Sequence, residues 1–138
     1  MRILGLDVGT RRVGVAMSDP LGLTAQPLTV LTRRGTVEDL DAVRALVTAH
    51  GVERVIVGLP LTMRGARGPQ AQQVAAFADA LRQRVAVPVE LLDERLTTVQ
   101  GERALLATDT SRRRRKQLID QVAAQLILQQ FLDRSAAR

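Results

Sequence analysis

The sequence predicts an α/β domain built on a mixed five-stranded sheet in the order 3-2-1-4-5, with helices on both faces. Three observations carry this expectation. Three short strand-like segments follow one another in the first 32 residues, as in an antiparallel meander. From residue 36 onward, helical and strand-like patterns alternate, as in crossover units. Val55-Ile56-Val57 is a continuous apolar run, the signature of a strand buried on both faces.

The elements follow in order. Arg2 to Val8 alternates loosely and reads as a strand that brings Asp7 to its end. Gly9-Thr10-Arg11 makes a tight connection to a second strand, Arg12 to Met17. Gln26 to Thr32 is the third. Thr36 is a candidate N-cap, with Glu38 and Asp39 favoured by the helix dipole. Val37, Leu40, Val43 and Val47 give that helix a buried stripe, Gly51 ends it, and His50 reads as a cap of its carboxyl end. A strand from Arg54 to Gly58 follows. Pro69 suits the first turn of the next helix, whose stripe is Val74, Phe77, Ala78 and Leu81. Val87 to Leu92 is the fifth strand. Thr97 with Gln100 forms a capping box for a further helix to about Ala107. A basic stretch from Thr108 to Lys116 leads into a last helix, about Gln117 to Asp133, burying Leu118, Val122, Leu126 and Ile127. The order is βββαβαβαα, with no repeat and no dividing linker. One domain over 1–138 is expected.

Bulk properties narrow the function. Nineteen Arg and one Lys against 14 acids give a net charge of +6. That balance favours a polyanionic partner, nucleic acid before a membrane surface. Phe77 and Phe131 are the only aromatic residues, too few for a base-stacking platform, so such a partner would be read through backbone and shape. Without cysteine there is no disulfide, thiolate metal site or thiol nucleophile. No apolar run approaches the roughly 18 residues of a membrane span, and Asp7 comes too early for a signal peptide. These features predict a cytoplasmic protein.

Candidate chemistry gathers at strand ends. Asp7 ends the first strand, and Asp93 and Glu94 end the fifth. Asp120 stands near the start of the last helix beside Ala123 and Ala124, whose small size would allow close approach to the sheet. Taken singly, each acid has an ordinary reading: a turn residue for Asp7, a solvated strand end for Asp93 or Glu94, a dipole-favoured acid for Asp120. Brought together, three carboxylates repel one another unless a hard cation such as Mg²⁺ or Mn²⁺ joins them. Two such ions about 3.5–4 Å apart serve phosphodiester hydrolysis.

Four segments carry a family resemblance. Leu6-Asp7-Val8-Gly9-Thr10-Arg11-Arg12-Val13-Gly14-Val15-Ala16-Met17-Ser18-Asp19 resembles the opening motif of the YqgF/RuvX family. Gly58-Leu59-Pro60-Leu61, with Gly65 and Gly68, resembles its second motif, and Asp93-Glu94-Arg95-Leu96-Thr97-Thr98 its third. Asp120 to Gln129 resembles its carboxyl-terminal helix. The resemblance implies a ribonuclease H-like fold and a divalent-metal nuclease, associated with 5′-end maturation of pre-16S ribosomal RNA and also described as a Holliday junction resolvase. It implies metal and catalytic carboxylates at Asp7, Glu94 and Asp120, with Asp93 in reserve because adjacent strand residues face opposite ways. The implied partners are structured RNA or branched DNA, pre-ribosomal particles among them. No long apolar stripe is left over after the core helices, so a monomer or weak homodimer is expected. Two positions depart from expectation. Ala123 stands where related resolvases carry a further acid, and Gly101 falls early in a helix where Ala would be preferred.

Basic residues near these motifs are candidate phosphate contacts. Arg112-Arg113-Arg114-Arg115-Lys116 reads as a clamp leading to Asp120, or as a solvated loop. Arg11, Arg12, Arg64, Arg67 and Arg95 extend the surface. Gly65 and Gly68 would permit backbone approach to phosphate, or simply make a flexible connection. Two competing functions are a phosphotransferase, since Asp7-Val8-Gly9-Thr10 also resembles a kinase phosphate loop, and a non-catalytic nucleic-acid binder. The first would need a second domain and an adenosine site beyond 138 residues.

Overall fold

The computed structural model describes residues 1–61, 65–93 and 112–136, with the backbone alone for 112–120 and 136. Eight elements are seen among them: β1 (Ile3–Val8), β2 (Arg12–Ser18), β3 (Ala25–Thr32), α1 (Thr36–His50), β4 (Arg54–Leu59), α2 (Pro69–Arg82), β5 (Val89–Asp93) and α3 (Arg112–Ala136). The expected helix over 97–107 lies outside the described residues.

The sheet order is β3-β2-β1-β4-β5, as the sequence predicts. β2 runs antiparallel to β1 and β3, while β4 is parallel to β1 and to β5. Pro27 lies in β3, an edge strand, where its missing N–H breaks no ladder bond with a further strand. Pro88 excludes the first two residues expected of the fifth strand. It has no N–H to give, and its carbonyl instead accepts the Val55 N–H at 2.9 Å.

Strand alternation sorts the core into two layers. Leu4, Leu6, Val8, Val13, Val15, Val55 and Val57 face α1 and α2, which bury Leu40, Val43 and Val47 and Val74, Phe77, Ala78 and Leu81 against them. Ile3, Ala16, Ile56 and Leu92 face α3, which buries Ala123, Ala124, Ile127, Leu128 and Leu132.

The helices differ from expectation in four respects. Thr36 is the first helical residue of α1 and not its cap; Gly35 holds that place with φ 152° and no side-chain cap bond. A side chain at Gly35 would collide with the Glu38 carboxylate, and the positive φ itself favours glycine. Val37 is 52% exposed because the stripe begins only at Asp39 and Leu40. α3 begins at Arg112, so the basic run lies on helix and not in a loop before it. Val122 and Leu126 are only half-buried, and the buried face has turned toward the two alanines.

That turn has a cause in β1. A Cβ on Gly5 would stand 2.7 Å from Leu128 Cβ and 3.2 Å from the Ala124 carbonyl oxygen. Glycine on the strand and alanine on the helix let α3 lie almost on the sheet backbone. Two glutamines tie α3 to the sheet edge. Gln125 Nε2 donates to the Ala25 carbonyl at 3.1 Å, and Gln129 Oε1 accepts the Ala25 N–H at 2.9 Å. Among the described residues, no helix is long and apolar enough to cross a membrane.

Candidate active site at the carboxyl ends of the parallel strands

β1, β4 and β5 are parallel, so Val8, Leu59 and Asp93 end at one edge of the sheet. Asp7 pairs with Gly14 of β2 and is half-buried. It follows Ile3 and Gly5 in alternation, which puts it on the α3 side. Asp93 stands beside Leu59 and continues the alternation of Val89 and Leu91, all on the α1 and α2 side. Asp7 and Asp93 therefore occupy opposite faces.

The course of α3 relates position 120 to Asp7. Phe131 lies under the Arg54 guanidinium, 5.8 Å from carbon to ring centre, and Arg54 pairs with Ile3 at the start of β1. Ala124 and Leu128 lie over Gly5. α3 thus runs from the carboxyl end of β1 toward its start. Position 120 precedes Ala124 by one helical turn, about 6 Å of axis. Asp7 follows Gly5 by two strand residues, about 6.6 Å. By helical period, 120 also shares a sector with the buried Ala124 and Ile127.

The other predicted residues divide as follows. Glu94, Arg64 and Arg95 lie outside the described residues. Arg112 to Lys116 occupy the first turns of α3. Arg11 is exposed and Arg12 half-buried in and after the β1–β2 turn; Arg67 is exposed in the loop before α2. Gly65 has φ 81°, a left-handed backbone that favours glycine. His50 is the last helical residue of α1 and not its cap; Gly51 holds that place in the left-handed conformation, its N–H donating to the Val47 carbonyl. Among the described residues, which include neither Glu94 nor the Asp120 side chain, no three His, Cys, Asp or Glu side chains form a metal-binding group.

One cluster at this edge escaped the sequence reading. Asp39 is only 4% exposed. Its Oδ2 accepts Arg33 Nε at 3.0 Å, and its Oδ1 accepts the Arg34 N–H at 2.9 Å. Arg33 also donates from Nη1 to the Gly9 carbonyl at 3.0 Å, and its backbone N–H donates to the Arg11 carbonyl at 2.9 Å. Burial alone would push the Asp39 carboxyl up, but the Arg34 N–H, the Arg33 hydrogen bond and charge, and the Gly35 N–H outweigh it and hold it below its ordinary value. A lowered carboxyl contributes stability above the unfolded value near 3.8, and loses it as pH falls through the folded value. Asp39→Asn is expected to lower stability at pH 7 by about 1–3 kcal/mol. The difference should shrink on acidification below that value, as paired urea titrations at neutral and acid pH would show; a gap independent of pH would mean the charge is idle.

Comparison with known proteins fits this geometry. The family model RuvX, described as Holliday junction resolvase, matches residues 1–134. A protein of Moorella thermoacetica named "Putative pre-16S rRNA nuclease" is 59% identical over 134 residues, covering 97% of this chain and 96% of that protein. One of the same name from Myxococcus xanthus is 53% identical over 133 residues, covering 96% and 88%. Thermus thermophilus RuvC, solved with a Holliday junction, superposes with a TM-score of 0.60 at 16% identity, covering 99% of this chain and 96% of the other. The fowlpox virus Holliday junction resolvase gives 0.58 at 14%, covering 97% and 99%. The last two establish the shared ribonuclease H-like architecture. With its model matched along almost the whole length and relatives above half identity, the chain belongs to the RuvX family.

Proposed function

We propose that this chain, acting as one domain over 1–138, is a divalent-metal-dependent nuclease that hydrolyses phosphodiesters in structured nucleic acid. Its best-supported substrate is the 5′ end of pre-16S ribosomal RNA, in the cytoplasm. The observation that carries this reading is the matched spacing of Asp7 and position 120 from the Gly5–Ala124 contact. It favours Asp7 and Asp120 as one carboxylate pair. The opposite facing of Asp93 favours Glu94 as the third member.

Carboxylate oxygens are hard donors and fit Mg²⁺ or Mn²⁺. Bound there, the cation would supply charge stabilisation to the phosphodiester and activation of water. The chain's own part is to hold the carboxylates at fixed height and to bring the substrate backbone across the strand ends. Arg11, Arg12 and Arg67 border that edge, and Arg112 to Lys116 approach it along α3; Arg64 and Arg95 complete the proposed set. Relatives at 45–59% identity carry the ribosomal RNA name, which ranks RNA before DNA. The family description supports four-way DNA junctions as the second reading.

The test is cleavage of a pre-16S RNA fragment and a four-way DNA junction, side by side, with Mg²⁺ and with Mn²⁺. RNA cut at its 5′ end, and junction left intact, is the expected result. Symmetric junction cutting by a stable two-fold dimer would reverse the order, since a resolvase needs two aligned sites; a trimming enzyme works as a monomer or weak dimer. Binding of either substrate with no cleavage would leave a nucleic-acid binder.

The basic run is expected to set affinity. Arg112 to Arg115 replaced together by Ala should weaken binding and flatten its salt dependence by about one unit of slope per lost phosphate contact. Melting should hold, since Ala is a strong helix former. Salt titrations that superpose with those of the unmodified chain would assign the run to a solvated helix face.

A further inference from the structure

We propose that Arg33 and Asp39 position the turn that follows Asp7, so that cleavage depends on two residues that touch neither substrate nor metal. The inference rests on the nuclease reading above and adds positioning residues to it.

One residue holds two carbonyls of the β1–β2 turn, those on either side of Thr10. Arg33 takes Gly9 through its guanidinium and Arg11 through its backbone N–H. The turn is closed on itself by Gly9 N–H to the Arg12 carbonyl at 2.8 Å, and a Cβ on Gly9 would stand 2.9 Å from that oxygen. It therefore moves as a unit, and Asp7 lies two residues before Gly9. The guanidinium is fixed from three sides. Asp39 of α1 accepts Nε, Gly9 accepts Nη1, and the Phe77 ring of α2 lies 5.5 Å from the guanidinium carbon. Asp39 is fixed in turn by the Arg34 N–H. Two helices on one face of the sheet thus set the height of a carboxylate on the other face.

Stability does not require such a pair. Apolar side chains filling the same space commonly stabilise as well as a buried ion pair. What they cannot do is hold a carbonyl in a stated direction. The planar fork of arginine does so with two nitrogens at once, which a lysine ammonium cannot reproduce in the same geometry. Nor is Arg33 placed as a phosphate contact: its side chain is 25% exposed, and two of its nitrogens are turned to Asp39 and Gly9. Arg34 beside it is exposed.

The test is Arg33→Lys, with Asp39→Asn as a second variant should the first fail to fold. Cleavage and amide exchange are read on the same preparations. A carboxylate displaced by about 1 Å costs up to about 100-fold in rate. The turnover number should fall about 10- to 100-fold with KM for the nucleic acid unchanged. Without metal, Gly9 N–H exchange should quicken by a larger factor than that of Val43 in α1 and Leu81 in α2, whose rates report any loss of global stability. Full turnover by the variant, or Gly9 exchange quickened by no more than that of Val43 and Leu81, would overturn the proposal and leave a core ion pair. A wild-type chain that cuts neither RNA nor junction would instead remove the nuclease reading, and this inference with it.

Discussion

Asp7→Asn is expected to lower phosphodiester cleavage by about three orders of magnitude, several kcal/mol of transition-state stabilisation. The substitution keeps size and hydrogen bonding but removes one negative charge and one hard oxygen donor. Metal-free binding should hold or improve, because an unfilled carboxylate cluster repels phosphate. Apo melting should also hold or rise as the crowding of like charge eases. Had Asp7 served only to shape the β1–β2 turn, the variant would melt lower and lose activity only in proportion to its unfolded fraction. Cleavage, metal-free binding and melting on one preparation separate the two, and near-normal cleavage ends the assignment of Asp7.

The second large effect lies in the core. Gly5→Val should lower stability by about 2–3 kcal/mol, roughly 10 °C in melting temperature. Its Cβ meets Leu128 Cβ at 2.7 Å and the Ala124 carbonyl oxygen at 3.2 Å. Neither is the free end of a flexible side chain, so α3 itself must lift. Leu128→Ala keeps the offending Cβ and should give no relief. Leu128→Gly removes it, so the loss from Gly5→Ala combined with Leu128→Gly should be smaller than the two single losses added. Because α3 carries position 120, activity in Gly5→Val should drop further than the folded fraction accounts for. A melting curve unchanged from wild type would mean that the helix has room to spare.

The sheet could be read from the sequence because its signals are local. The meander uses short connections, Val55-Ile56-Val57 marks a central strand, and the parallel strands leave few permissible orders. The place of Asp7 near the end of β1 was legible for the same reason, from a short strand followed by a tight glycine turn. What escaped depends on tertiary contact. The charge run before residue 117 suggested a loop, yet Arg, Lys and Gln propagate a helix well once its far end is packed. Val122 and Leu126 looked as apolar as their neighbours, and only the close approach at Gly5 selects the alanine face. Asp39 read as a first-turn acid facing the dipole. Nothing in the residues 33–39 announces that it is buried and tied through Arg33 to a turn 24 residues earlier.

Ala25 and Gln125 meet across 100 residues of chain. The helix that covers Ile3, Ala16, Ile56 and Leu92 is therefore the last described element to leave the ribosome. During synthesis the completed sheet must wait with one apolar face bare, because contacts so far apart in sequence form late. A message broken between the codons for residues 93 and 112 would yield a chain with all five strands and without the helix that covers that face. Such a fragment should be sticky and short-lived in the cell, with the full-length chain soluble beside it.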